Sequence, residues 1–164
     1  MRVVGVDPGL TRMGVGVIEE RDSALTALYS GTITTSPSDE TSLRLAELME
    51  GLEEVMAKYQ PDAVAVEKVF FKLNVRTGVG AIQASGIALA AAARFGARVY
   101  EYAPLQVKQA VVGTGAATKD QVTFMVNRIL KGVTPKGADA ADALAIAITC
   151  LNSSKLEDLE RSTR

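Results

Sequence analysis

Four acidic residues stand where predicted strands end or a predicted helix begins. Asp7 follows the apolar run RVVGV and Glu67 follows AVAV, whereas Asp139 and Asp142 open the stretch GADAADALAIAIT. Carboxylate oxygens are the hard ligands that Mg²⁺ and Mn²⁺ prefer. Two such ions about 3.5–4 Å apart can activate water and stabilise the leaving oxygen in phosphodiester cleavage. These residue types therefore indicate metal-dependent hydrolysis of a phosphodiester.

Each acid also has a simpler structural explanation. Asp7 precedes Pro8 and Gly9, a common turn sequence. Asp139 can cap a helix, and Asp142 can interact with the helix dipole in the first turn. Glu67 can mark the point where a strand meets solvent. The four together favour a metal site, because carboxylates that converge repel one another and need cations or protons.

Two lysines lie close in sequence to a loop of small residues, GTGAATK, at residues 113 to 119. Lys119 ends this loop at a predicted helix start, and Lys108 lies on the preceding predicted helix. Small residues let backbone amides approach phosphates closely. The spacing is not that of a Walker A loop, which argues against a nucleoside triphosphate site. The alternative is a flexible connector with solvated lysines.

The segment KVFFKLN combines aromatic and basic side chains at residues 68 to 74. Phe70 and Phe71 lie between Lys68 and Lys72. Aromatic rings beside positive charge suit stacking on unpaired bases. The alternative is that one of the phenylalanines belongs to the core.

Composition narrows the remaining chemistry. The chain of 164 residues has no histidine and one cysteine, Cys150, so imidazole catalysis, His-ligated zinc, Cys-rich metal sites and an internal disulfide are excluded. Its length suits one domain. No signal peptide or membrane span is predicted, and we expect a cytoplasmic location.

Charge is divided unevenly along a chain whose net charge is −1. Residues 68 to 136 hold ten basic and two acidic residues, a net charge of +8. The rest holds 8 basic and 17 acidic residues, a net charge of −9. This asymmetry is typical of a surface for a polyanion, although a lysine-rich solvated half would give the same count.

Hydrophobic patterning predicts an α/β fold with a mixed five-stranded sheet and helices on both faces. The first three strands would form an antiparallel meander, and 1–152 would be one domain followed by a polar, flexible tail at 153–164. If the strands ending at Asp7 and Glu67 are parallel neighbours, both acids leave the sheet at the same edge. The predicted strands are 2–7, 13–20, 24–35, 63–67 and 98–102, and the predicted helices are 39–59, 75–95, 104–112, 119–130 and 138–152.

Four blocks of sequence, in this order, resemble the bacterial RuvC-type Holliday junction resolvases of the ribonuclease H-like superfamily. The resemblance spans residues 2 to 150. Two differences stand out: Asp139 takes a place where some members have histidine, and Lys68 one where Gln or Glu is expected. The blocks are VGVDPGLTRMGVGVI, AVAVEKVFF, YAPLQVKQAVVGTGAATKDQV and GADAADALAIAI.

The resemblance implies a homodimer that makes paired nicks in a four-way DNA junction, with two Mg²⁺ ions per site for which Mn²⁺ can substitute. It also implies partners of the RuvA and RuvB type for branch migration, and a dimer interface that includes the helix from Val75. The implied metal ligands are Asp7, Glu67, Asp139 and Asp142. The implied DNA contacts are Phe70, Lys72, Arg76, Lys108 and Lys119, of which Lys108 and Lys119 would lie near the cleaved phosphate.

Two other functions are compatible with parts of the sequence. One is a junction-binding scaffold with an inactive site, against which the intact acids argue. The other is an ATP-binding, actin-like phosphotransferase, suggested by DPGLTRMGVG at residues 7 to 16. Such a fold needs a second domain to close over nucleotide, and the chain has no room for one.

Overall fold

The computed structural model describes residues 1–70 and 75–162, with 75–77 and 155–162 described by secondary structure alone. Its strands form one sheet in the order β5-β4-β1-β2-β3-β6. Strands β1, β2 and β3 are an antiparallel meander, and β4 and β5 extend it in parallel with β1. The strands are β1 Arg2–Asp7, β2 Arg12–Arg21, β3 Ala24–Thr34, β4 Ala63–Glu67, β5 Arg98–Tyr102 and β6 Lys131–Gly132.

The predicted α/β class and the antiparallel meander are confirmed, but the predicted count of five strands was wrong. The sixth strand, β6, is a two-residue segment that pairs in parallel with β3. Both of its residues are exposed. A segment this short has no hydrophobic alternation, so its pairing depends on backbone hydrogen bonds that sequence periodicity does not report.

In the part of the chain that the structure describes, five helices cover the sheet, and four of them lie close to the predicted ranges. The exception is the C-terminal helix, predicted to end at residue 152, which continues to Ser162. Residues 155 to 160, KLEDLE, are good helix formers apart from the aspartate, so the change from apolar to polar sequence does not end the helix. The helices are α1 Thr41–Tyr59, α2 Val75–Arg94, α3 Pro104–Val112, α4 Lys119–Ile129 and α5 Ala138–Ser162.

The two faces of the sheet bury two separate apolar clusters. On β1, Val3 belongs to the cluster under α3, α4 and α5, whereas Val4 and Val6 belong to the cluster under α1 and α2. This division follows from the alternation of side chains along a strand. The predicted helices on both faces are therefore confirmed.

Helix α5 lies directly on the sheet backbone. A Cβ atom added to Gly5 of β1 would stand 2.0 Å from the carbonyl oxygen of Ala143 and 2.8 Å from the amide nitrogen of Ala147. Glycine in the strand and alanine in the helix together allow this close approach. The buried part of α5 is thereby held in a fixed position over the centre of the sheet.

Candidate active site

Two acids leave the sheet at the same edge. Strands β1 and β4 are parallel neighbours in which Val6 pairs with Val66, and each strand ends at the next residue. Asp7 and Glu67 therefore follow the last matched pair side by side, which meets the condition under which the sequence places both acids at one edge. In the neighbouring ladder, Asp7 pairs with Gly14 of β2.

The other two acids are brought to this edge by α5. The helix begins at Ala138, so Asp139 lies in its first turn and is not the N-cap that the sequence suggested. A Cβ on Gly14 would stand 2.1 Å from the carbonyl oxygen of Asp139 and 3.2 Å from its Cβ. Because Gly14 is also the partner of Asp7, this contact brings the start of α5 beside the end of β1.

One pocket of about 300 Å³ collects most of the predicted site residues. Its walls include the acids Asp7, Glu67 and Asp142 and the lysines Lys108 and Lys119. Apolar side chains from α3 and α4 complete the lining: Pro104, Val107 and Val122. Three acids and two basic residues from separate elements thus share one concave surface.

Two basic side chains neutralise the acids of α5. The Nζ atom of Lys119 donates to Oδ2 of Asp142 at 3.0 Å, and the Nε atom of Arg12 donates to Oδ2 of Asp139 at 2.7 Å. The carboxylate of Asp142 raises the pKa of Lys119, so this lysine stays cationic at neutral pH. Asp139 does not line the pocket and lies against Arg12 instead.

The surroundings of Asp7 shift its acidity. Burial, followed by the negative charges of Asp142 and Asp139, raises the pKa of Asp7 to about 6, and Lys119 opposes the rise. The carboxyl of Asp7 is therefore partly protonated just below neutral pH when no other cation is present. A divalent cation at this edge would supply the missing positive charge.

The chemistry of these donors fits a hard divalent cation, because the acidic side chains offer carboxylate oxygens. Among the side chains that the structure describes, those of residues 1–70 and 78–154, no three acids converge closely enough to coordinate one ion. Arg12 and Lys119 each engage an oxygen that the predicted metal site would need. Cation binding at these two Oδ2 atoms would therefore require Arg12 and Lys119 to release them.

Of the predicted DNA contacts, Lys108 and Lys119 line this pocket and Phe70 lies beside it. The side chain of Phe70 is 55% exposed, and it lines a neighbouring groove that also includes Leu105 and Lys108. Lys108 thus borders both concave surfaces. Lys72 lies outside the described residues, as does the side chain of Arg76.

Sequence reasoning missed two arginines near the acids. Arg12 is the partner of Asp139, and the side chain of Arg44 on α1 is 9% exposed and holds the turn before Arg12. Strand alternation did give a signal for Arg12: positions 12 and 14 of a strand face the same side, and Gly14 is the residue that contacts Asp139. No local pattern distinguishes Arg44, because its hydroxyl partners come from other elements.

Three comparisons relate the chain to known proteins. The family described as crossover junction endodeoxyribonuclease RuvC matches residues 3–150. A relative of that name from Salinispora arenicola is 51% identical over 152 residues, which cover 90% of this chain and 86% of the relative. One from Syntrophomonas wolfei is 45% identical over 165 residues, which cover 99% of this chain and 95% of the relative.

Solved structures of Holliday junction resolvases are similar to the structure of this chain. The structure of Thermus thermophilus RuvC in complex with a Holliday junction substrate superposes with a TM-score of 0.89 at 36% identity, covering 96% of both chains. A yeast mitochondrial Holliday junction resolvase shares the fold at 13% identity, with a TM-score of 0.68 and coverage of 98% of this chain and 83% of that one. Among the described residues, no helix has both the length and the apolar character needed to cross a membrane.

Proposed function

Because the chain belongs to the RuvC family of crossover junction endodeoxyribonucleases, we propose that it resolves Holliday junctions in DNA recombination and repair. It would do so by paired, symmetric nicks in strands of like polarity. The observation that carries the proposal is the pocket shared by Asp7, Glu67, Asp142, Lys108 and Lys119. Family membership also favours an active nuclease over the scaffold and ATP-binding alternatives.

The cofactor of the proposed reaction is Mg²⁺, with two ions per site and Mn²⁺ as a substitute. The residues that would hold the ions are Asp7, Glu67, Asp139 and Asp142. When bound, the ions would supply a nucleophile from water and neutralise charge at the cleaved phosphate. Support comes from the carboxylates that the four acids offer and from the raised pKa of Asp7, which burial causes first and the negative charges of Asp142 and Asp139 increase.

The lysines have distinct tasks in the proposed reaction. Lys119, once released from Asp142, would donate to a non-bridging oxygen of the cleaved phosphate and stabilise the charge that develops there. Its side chain is 76% exposed and reaches the acids from the start of α4. Lys108 lies on the α3 side of the same pocket, where it can hold the adjacent backbone phosphate. The products would carry 5′-phosphate and 3′-hydroxyl ends.

Selectivity for junctions would come from a homodimer that sets two such sites at the spacing of two junction strands. Helix α2 is a candidate for part of the dimer interface, because Val79 and Ile82 on it are partly exposed. Phe70 would face the open centre of the junction, and Lys72 and Arg76 would contact its backbone. We further propose a bacterial cytoplasmic location and partners of the RuvA and RuvB type.

A single substitution tests the role of the acids. Asp142→Asn keeps the shape of the side chain but removes the charge, so junction binding should persist while cleavage in Mg²⁺ is lost. Asp22→Asn is the matched control, since Asp22 lies in the exposed hairpin turn between β2 and β3 with φ of 51°, which asparagine tolerates. Cleavage by Asp142→Asn at the rate of this control would refute the assignment.

A further inference from the structure

We propose that Arg12 is a positioning residue that holds Asp139 in the metal-free protein and competes with a divalent cation for that carboxylate. The inference rests on the proposed nuclease function and extends it to a residue that has no role in the reaction described above. It predicts that Arg12 lowers the affinity of the carboxylate site for a divalent cation. Three features of the structure support it.

The first feature is the geometry of the pair. The Nε atom of Arg12 lies 2.7 Å from Oδ2 of Asp139, although 127 positions separate them in the chain. Arg12 is the first residue of β2, and its side chain projects to the same side of the sheet as Gly14, on which Asp139 rests. Arg12 therefore contacts the Asp139 carboxylate outside the pocket, since neither residue lines that pocket.

The second feature is that hydrogen bonds hold the backbone next to Arg12, whereas the Arg12 side chain has several rotatable bonds. Arg44 donates to the hydroxyl of Thr11 at 2.6 Å and to the hydroxyl of Thr35 at 2.9 Å. The Thr35 hydroxyl in turn donates to the carbonyl of Leu10 at 2.6 Å. These bonds fix the chain on the N-terminal side of Arg12, so only its side-chain rotamers need to change when it releases Asp139.

The third feature is the exposure of the pair. The side chain of Arg12 is 59% exposed and that of Asp139 is 28% exposed. Ion pairs this exposed are weak, since solvent screens them and long side chains lose entropy when they are held. A divalent ion with several carboxylate ligands can therefore displace the guanidinium. Lys119 forms a similar ion pair with Asp142, so a second side-chain cation neutralises an acid of the proposed site.

The test measures Mn²⁺ binding to the full-length protein without DNA, from the electron paramagnetic resonance signal of free Mn²⁺. Arg12→Gln should bind Mn²⁺ roughly two- to fivefold more tightly than the unaltered protein, as expected for loss of a weak competing pair. Arg12→Lys, which keeps the charge, should stay close to the unaltered protein. Thermal unfolding of each variant shows whether the fold is retained.

The matched control is Arg98→Gln, which removes one positive charge from the first residue of β5, at the opposite end of the sheet strands. Binding by Arg12→Gln that equals or falls below that of Arg98→Gln would overturn the inference and leave the proposed nuclease intact. Mn²⁺ binding that Asp142→Asn does not weaken would instead overturn the proposed metal site, and this inference with it.

Discussion

Gly14 lies so close beneath Asp139 that a Cβ atom added to Gly14 would stand 2.1 Å from the carbonyl oxygen of Asp139. This contact is with helix backbone, which cannot turn aside as a side chain can. The same glycine pairs with Asp7 across the β1–β2 ladder. One residue without a side chain therefore sets the distance between the acid of the first strand and the acids of the last helix.

Gly14→Ala should push the start of α5 away from the sheet and greatly reduce cleavage of a junction. Overpacking of this kind costs about 1–3 kcal/mol of unfolding free energy. The control is Gly51→Ala on α1, whose added Cβ would have its nearest contacts with side-chain atoms of Ile33, the first at 2.9 Å, and a side chain can shift where helix backbone cannot. Denaturant unfolding and a junction cleavage assay would be measured on both. Full activity in Gly14→Ala would contradict the argument from close packing.

Lys119→Gln should slow cleavage by roughly 100-fold, the usual effect of removing one group that stabilises transition-state charge. Junction binding should change little, because one phosphate contact is a small part of the interface. Single-turnover cleavage separates the two effects. Lys58→Gln is the control, since Lys58 is an exposed lysine of α1 outside the basic segment. Equal rates for the two variants would remove Lys119 from the mechanism.

Asp7→Asn should stabilise the metal-free protein at pH 7.5 but not at pH 4. The folded protein holds a proton on Asp7 up to a pKa of about 6, whereas the unfolded chain loses it near pH 4. Ionised Asp7 therefore reduces stability as pH rises through this window. At pH 7.5 the substitution should raise the free energy of unfolding by at most about 3 kcal/mol, because the folded and unfolded pKa values of Asp7 differ by about two units and each unit is worth about 1.4 kcal/mol.

Denaturant unfolding at the two pH values measures this gain, with Asp22→Asn as the control. Saturating Mg²⁺ should cancel or reverse the advantage, because the ion stabilises the carboxylate and not the amide. A variant no more stable than the unaltered protein at pH 7.5 would show that Asp7 is not electrostatically strained.

Junction binding should weaken steeply with added salt. Residues 68 to 136 carry a net charge of +8, and each neutralised phosphate contributes about −0.9 to the slope of log affinity against log salt concentration. Lys108→Gln should reduce the magnitude of that slope by about one, whereas Lys58→Gln should leave it unchanged. A flat response in the unaltered protein would mean that this segment is not the DNA face.

The sequence showed which acids follow strands, and it placed Asp7 and Glu67 at one edge on the condition that those strands are parallel neighbours. Asp7 and Glu67 end parallel neighbours, and an apolar strand followed by an acid is visible without coordinates. Strand alternation places Arg12 on the same face of β2 as Gly14, but its pairing with Asp139 could not be predicted, because it depends on how deeply α5 settles on Gly5 and Gly14. The two-residue strand β6 was missed for a related reason, since it is made by backbone pairing that no side-chain pattern encodes.

The central claim is tested most directly by mapping the nicks made in a labelled synthetic four-way junction in Mg²⁺, beside a duplex of matched sequence. The account predicts two nicks at symmetric positions in strands of like polarity, 5′-phosphate ends, little cleavage of the duplex, and no nicks with Asp142→Asn. Equal cleavage of junction and duplex, or unpaired nicks at unrelated positions, would contradict it.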